Sequence, residues 1–120
     1  MATDAPLTSR QLTRLARRAV LGLARTGSYG HNGSGGDIIL AFSTAQTVPT
    51  GKEVQAIGFL PDDALNRLFI AAVDSTEEAI VNSLLQAKTT RGGRNGRVRY
   101  ALPVEETLEI LGRYGRLSKA

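Results

Sequence analysis

Gly33-Ser34-Gly35-Gly36-Asp37-Ile38-Ile39-Leu40-Ala41-Phe42-Ser43-Thr44 is the stretch on which the fold turns. Its apolar part is too short for a membrane span and too continuous for a half-buried strand, so it reads as a strand covered on both faces. The loop that feeds it is rich in glycine, with five in the eleven residues from Gly27 to Asp37. Such a backbone can take left-handed conformations or approach another group closely. A strand covered on both sides needs neighbouring strands and layers over its faces. The chain offers two or three strands, too few to close a sheet. Residues 1–120 therefore read as a single partial domain of a layered α/β unit whose remaining strands lie elsewhere.

Toward the N-terminus, Pro6 pushes the residue before it away from helical geometry, so residues 2–7 read as the end of an extended segment. Thr8 and Gln11 have the spacing of a capping box. Leu7 and Leu12 stand where a hydrophobic staple would put them. Leu12, Leu15, Ala16, Ala19 and Leu23 recur at helical spacing with arginines opposite, and Gly27 is a natural stop, which predicts one helix from Ser9 toward Gly27. Toward the C-terminus, residues 45–53 with Pro49 and Gly51 read as a surface connection. Val54–Leu60 reads as a short, weaker strand. From Asp62 or Asp63 to about Lys88 the spacing predicts one continuous helix, although Ser75 and Glu78 form a second capping-box pattern. Residues 89–97, with Asn95-Gly96, read as a tight turn, and Val98–Leu102 as a strand. Pro103 at a first helical position then opens a last helix that ends near Gly115.

The chain is 42% hydrophobic and 22% charged, which excludes compositional disorder. Its first residues carry neither a basic start nor an apolar core, so they are no signal peptide, and a cytoplasmic location is favoured. No apolar run reaches the ~20 residues of a membrane helix. With no cysteine and one histidine, disulfides, thiolate metal sites and multi-histidine sites are excluded, and no cofactor is expected. The net charge of +4 invites a nucleic-acid reading. Aromatic residues are 5% of the chain, and only Tyr100 adjoins the second arginine cluster, so a base-stacking platform lacks its material.

Three segments together resemble one family. They are Ala2-Thr3-Asp4-Ala5-Pro6-Leu7 with Gln11-Leu12, the run Arg14–Gly27, and Gly33-Ser34-Gly35 leading through Asp37-Ile38 into Leu40–Thr44. Glu77–Ile80 continuing to Asn82–Leu85, and Tyr100-Ala101-Leu102-Pro103 with Glu109-Ile110-Leu111, fit the same pattern. All are similar to the C-terminal β-chain of the DmpA-like enzymes, the L-aminopeptidase/D-amino-acid esterase and β-peptidyl aminopeptidase group.

That resemblance implies a four-layered αββα fold of the N-terminal-nucleophile type. It implies a precursor that cuts itself before a serine, which then attacks amide or ester bonds next to a free amino group. In such an enzyme the serine heads the strand running directly into Thr-Asp-Ala-Pro-Leu. Here Met1 stands one residue before Ala2-Thr3, so the nucleophile is expected upstream of Met1 and the isolated chain is expected to be inactive. By position, Ser34 is the loop serine that orients the nucleophile, and Asp37 the acid that holds Ser34. Two glycines separate them where the family pattern has one. The implied partners are a peptide or amino-acid amide or ester substrate, the N-terminal portion of the same precursor, and further copies in a homo-oligomer, with no nucleic acid and no membrane.

On composition alone, Ser34 and Asp37 read as a glycine-rich loop whose aspartate caps a turn. His31 reads as a loop histidine, and Tyr29 serves packing as readily as a pocket. The arginines of the first helix and of residues 91–99 read first as solvated faces. Two other functions stay open at this point: a non-catalytic paralogue kept for subunit assembly, and a small basic module that binds phosphates.

Overall fold

The computed structural model describes residues 1–28, 36–47, 50–51, 56–93 and 96–117. Two compact units divide the chain, Met1–Ala79 and Ile80–Ala120.

In the first unit the chain enters as β1 (Ala2–Thr3) and turns through Pro6 into α1 (Ser9–Ala16). The capping box forms as the spacing requires: the Thr8 hydroxyl accepts from the Gln11 amide, and Gln11 Oε1 accepts from the Thr8 amide at 2.9 Å. Gln11 is buried, and its amide group also donates to the Leu60 carbonyl at 2.8 Å and to Asp62 at 2.9 Å. One side chain thus closes a helix end and ties down the segment that starts the next helix. Leu7 and Leu15 are buried beside Leu65 and Ala72, with Leu12 packed against them, so the staple pair joins the core.

The single helix expected from Ser9 to Gly27 is two helices. α2 (Ala19–Arg25) follows a break at Arg17 and Arg18, where the Arg18 amide reaches Leu15 and the Leu21 amide reaches Arg18, three residues back rather than four. The expected stop does hold, since Gly27 takes a φ of 87°. The arrangement brings Gly22 against the third helix: a Cβ placed there would lie 2.5 Å from the Val73 carbonyl oxygen. Helical periodicity reports which face is apolar and is blind to a tightened turn that re-aims the axis.

One turn of 3-10 helix (Asp62–Ala64) leads into α3 (Leu65–Gln86), which is continuous, as predicted. The Ser75 hydroxyl donates back to the Ala72 carbonyl instead of capping a new start. Leu65, Ala72 and Val73 are its buried residues. β2 (Phe42–Ser43) pairs parallel to β1, Ala2 with Phe42 and Thr3 with Ser43. Val54–Leu60 lies partly outside the described residues, and 56–60 form no strand; this part is anchored by the Leu60 amide bonded to the Pro6 carbonyl at 2.9 Å.

The run Ile38–Thr44 differs from expectation in extent and in covering: only Phe42–Ser43 within it is assigned as strand. Ile38 is 90% exposed, Leu40 76% and Phe42 56%, whereas Ile39, Ala41 and Ser43 between them are half-buried. A strand's side chains alternate between faces. Here one face is partly covered, and the apolar residues on the other have nothing over them among the described residues. A continuous apolar run encodes a demand for cover on two sides, and this chain meets it on one.

In the second unit, β3 (Thr90–Gly92) and β4 (Arg97–Arg99) form an antiparallel ribbon. The Ala101 amide bonds to the Thr89 hydroxyl at 3.0 Å and closes its base. Asn95 lies outside the described residues, while Gly96 has a φ of 60°, in keeping with the turn expected there. α4 (Val104–Arg113) follows, with Pro103 at its cap position, one place earlier than predicted, and Gly115 beyond its end at a φ of 63°.

Candidate functional site

The parallel pairing of β1 with β2 decides what the candidate residues can meet. The Phe42 amide donates to the Met1 carbonyl at 3.1 Å, and the Thr44 amide to the Thr3 carbonyl at 2.9 Å. The Met1 amine donates to the Leu40 carbonyl at 2.7 Å, so the ladder continues past the last assigned pair. Two hydroxyls finish its other end, Ser43 donating to the Ala5 carbonyl at 2.6 Å and Thr3 accepting from the Ala5 amide at 3.1 Å. The β1 segment is therefore held against residues 40–44 by backbone bonds and by the Ser43 hydroxyl.

Each residue of β1 faces one forty positions later. Continued backward at this register, the line of β1 runs beside Leu40, Ile39 and Ile38 to Asp37. Asp37 is exposed. Ser34 lies outside the described residues, as do Tyr29 and His31. A cavity of about 340 Å³ adjoins this stretch, between Ser9, Leu12, Thr13 and Ala16 of α1 and residues Ile39, Leu40 and Ala41. The register that links residue 2 to residue 42 was missed in the sequence. The signal available for it was slight: of the two hydroxyls, only that of Ser43 reaches across to the β1 segment, while that of Thr3 serves its own.

The charged groups with specified partners hold elements together. Asp62 receives Arg10 at 2.8 Å on both carboxylate oxygens and Arg14 at 3.0 Å. The Arg10 guanidinium, and then the Gln11 amide, hold its carboxyl below the ordinary aspartate range. Arg25 bridges Asp74 at 2.6 Å and Glu77 at 3.1 Å, clamping α2 to α3 where Gly22 makes its close approach. Arg14 and Arg18 both lie over the Phe69 ring, 5.3 and 4.6 Å from its centre. The arginine face of the first helices stays solvated at Arg10, Arg17 and Arg25, as read from the sequence, while Arg14 and Arg18 are half-buried over Phe69. Among the described residues no group of three or more His, Cys, Asp or Glu is gathered as a metal would require, and no helix is long and apolar enough to cross a membrane.

The comparisons with known proteins agree with this geometry. Along its whole length the chain is 47% identical to the β-peptidyl aminopeptidase BapA of Sphingosinicella microcystinivorans, of which it covers 30%. It is 40% identical to the BapA of Sphingosinicella xenopeptidilytica, with 92% of this chain and 28% of that protein matched. Among solved structures, the PH0078 protein of Pyrococcus horikoshii is 58% identical and superposes with a TM-score of 0.82 over 95% of this chain and 32% of that one. The L-aminopeptidase D-Ala-esterase/amidase of Ochrobactrum anthropi, a serine aminopeptidase and a variant of the N-terminal-nucleophile hydrolase fold, is 39% identical. It superposes with a TM-score of 0.83 over 96% of this chain and 32% of that one. The 120 residues thus have the α/β fold of the matching third of those structures, and they span less than a third of the curated relatives' length. Residues 1–99 match the model of peptidase family S58, and the chain belongs to that family.

Proposed function

We propose that this chain is the C-terminal share of a serine aminopeptidase that hydrolyses amide or ester bonds next to a free amino group. Its nucleophile would be carried on the strand entering ahead of Met1. The observation that carries the reading is the parallel register of β1 and β2. At one pair per residue, the fourth residue before Met1 would stand opposite Asp37, beside the loop that contains Ser34. A serine there would head the strand and face that loop, the arrangement the family resemblance implies.

In this reading the residues have separate tasks. A serine hydroxyl is a poor nucleophile until a neighbour takes its proton. Ser34 would accept a hydrogen bond from, or donate one to, the nucleophilic hydroxyl or its free amine and so orient it. Asp37 would hold Ser34 and favour the protonated amine by its charge. As the serine oxygen attacks the carbonyl carbon, its proton would pass to the serine's own free amine. That ammonium would give the proton to the departing amine or alcohol, and water would then release the acyl group and restore the serine hydroxyl. The exposed face of Ile38, Leu40 and Phe42 supports the four-layered arrangement, since a second sheet from the rest of the protein would cover it. The single partial domain of residues 1–120 and a homo-oligomer belong to the same reading, with no nucleic acid as partner.

The test starts with the reading frame ahead of Met1. A Gly-Ser or Asn-Ser followed by an Ile/Val run is expected within the half-dozen residues preceding Met1, and a frame without a serine there would overturn the reading. In the protein bearing that serine, Ser34→Ala should lower turnover of amino-acyl p-nitroanilides by about 100-fold with an unchanged circular dichroism spectrum. Undiminished turnover would remove Ser34 from the site.

A further inference from the structure

Residues 56–61 belong to no helix or strand, yet hydrogen bonds from other segments pin them in place. The Gln46 side chain donates to the Gly58 carbonyl at 2.9 Å, and the Leu60 amide donates to the Pro6 carbonyl at 2.9 Å. The Leu60 carbonyl accepts from Gln11 Nε2 at 2.8 Å. Both carboxylate oxygens of Asp62 are taken, by Arg10, Gln11 and Arg14. Apolar packing adds little, since Ile57 and Phe59 stand exposed and only Leu60 of these residues packs against the core. The same bonds reach β1. Pro6 carries the chain from β1 toward α1, and beside it the Ala5 carbonyl is held by the Ser43 hydroxyl at 2.6 Å.

We propose that residues 58–62 are a strap, a unit that opens apart from the helical core and whose closed form sets the line of β1. Gln11 and Asp62 are the two residues that close it. Gln11 is buried with its whole side-chain amide engaged: Oε1 accepts from the Thr8 amide and hydroxyl, and Nε2 donates to the Leu60 carbonyl and to Asp62. A partner lost from a buried amide is not replaced by water. Asp62 is at the surface, where its pairs with Arg10 and Arg14 are screened and each contributes little. A segment fixed by one buried amide and one exposed ion cluster is closed but shallowly so. Its opening frees the Pro6 carbonyl and loosens the end of β1, while Leu7, Leu15, Leu65 and Ala72 keep their packing. One consequence rests on the proposed function: the closed strap steadies the strand whose upstream end would bring the serine to Asp37. The strap itself does not depend on that reading.

Amide hydrogen exchange on the 120-residue chain at neutral pH tests it. Gln11→Glu is a selective probe. A glutamate keeps the capping box, because its carboxylate still accepts from the Thr8 amide, but it has no donor for the Leu60 carbonyl and sets a second carboxylate against Asp62. Asp62→Ala removes the other half of the closure and leaves the cap untouched. Either change should speed exchange at the Leu60 amide by about tenfold or more, and at the Thr44 amide with it. The Leu12 and Val73 amides, inside α1 and α3, should keep their wild-type rates, which also shows that both variants fold. A Leu60 amide that is unprotected in the wild type would overturn the proposal, as would Leu60 or Thr44 rates that either variant leaves unmoved. So would Leu12 and Val73 rates that rise in step with Leu60, because the segment would then open only with the core. The readout is exchange, so none of these outcomes bears on hydrolysis, and a frame without a serine ahead of Met1 would leave the strap standing.

Discussion

Gly22 shows how much one side chain can depend on its absence. In sequence it is an unremarkable glycine in an alanine- and leucine-rich helix, and replacing it with alanine would ordinarily favour the helix by about 1 kcal/mol. In the structure its Cβ would lie 2.5 Å from the Val73 carbonyl oxygen and 2.7 Å from the Thr76 Cβ. Neither is the free end of a flexible side chain, so the helices would have to part. Overpacking of this kind costs about 1–3 kcal/mol, and the clash outweighs the propensity gain. Gly22→Ala should therefore destabilise the chain by a net of up to ~2 kcal/mol, read as a lower urea midpoint; a midpoint at or above wild type would show that α2 has room to move. Gln11 is the opposite case. Its spacing from Thr8 announces the cap, and its second duty to Leu60 and Asp62 follows from burial, which spacing does not encode.

At the scale of elements, the run leading into β2 is where the chain's demand exceeds its supply. Ile38, Leu40 and Phe42 alternate with residues that are half-buried, so the three share one face and leave it open to water. Each large apolar side chain left exposed forgoes about 1.5–3 kcal/mol of burial. That face should bind a hydrophobic dye. The triple variant Ile38→Ser, Leu40→Ser, Phe42→Ser should show markedly less anilinonaphthalene sulfonate fluorescence than wild type at unchanged helix content. Equal fluorescence would mean that the face is covered in solution. By contrast, α1 and the start of α3 share a small core in which Leu65 is fully buried beside Leu7 and Leu15, and Arg25 clamps α2 to α3 through two carboxylates.

For the whole molecule, the chain spans less than a third of the length of each curated relative. In the proposed reading its nucleophile lies in the rest of the protein, and Ser34 and Asp37 orient rather than attack. Purified chain should therefore leave amino-acyl p-nitroanilides intact; hydrolysis by homogeneous material, unaffected by Ser34→Ala, would show that a different group carries the chemistry.

The sequence by itself determined the local elements: the Thr8–Gln11 cap, the Gly27 stop, a continuous α3 and a turn leading into a strand before α4, though the strand β3 within that turn was not read. Each is encoded by neighbours within a turn or two, where side chains compete for the same backbone groups. It also carried the family, because several spaced motifs coincide along nearly the whole chain. Only the tertiary structure decided that β1 lies parallel to β2 in a register forty residues apart, that the first helix breaks at Arg17 and Arg18, and that one face of Ile38–Phe42 is bare. These depend on groups far apart in the chain meeting in space. A run of apolar residues states that it must be covered, and the folded chain shows which side it covers for itself.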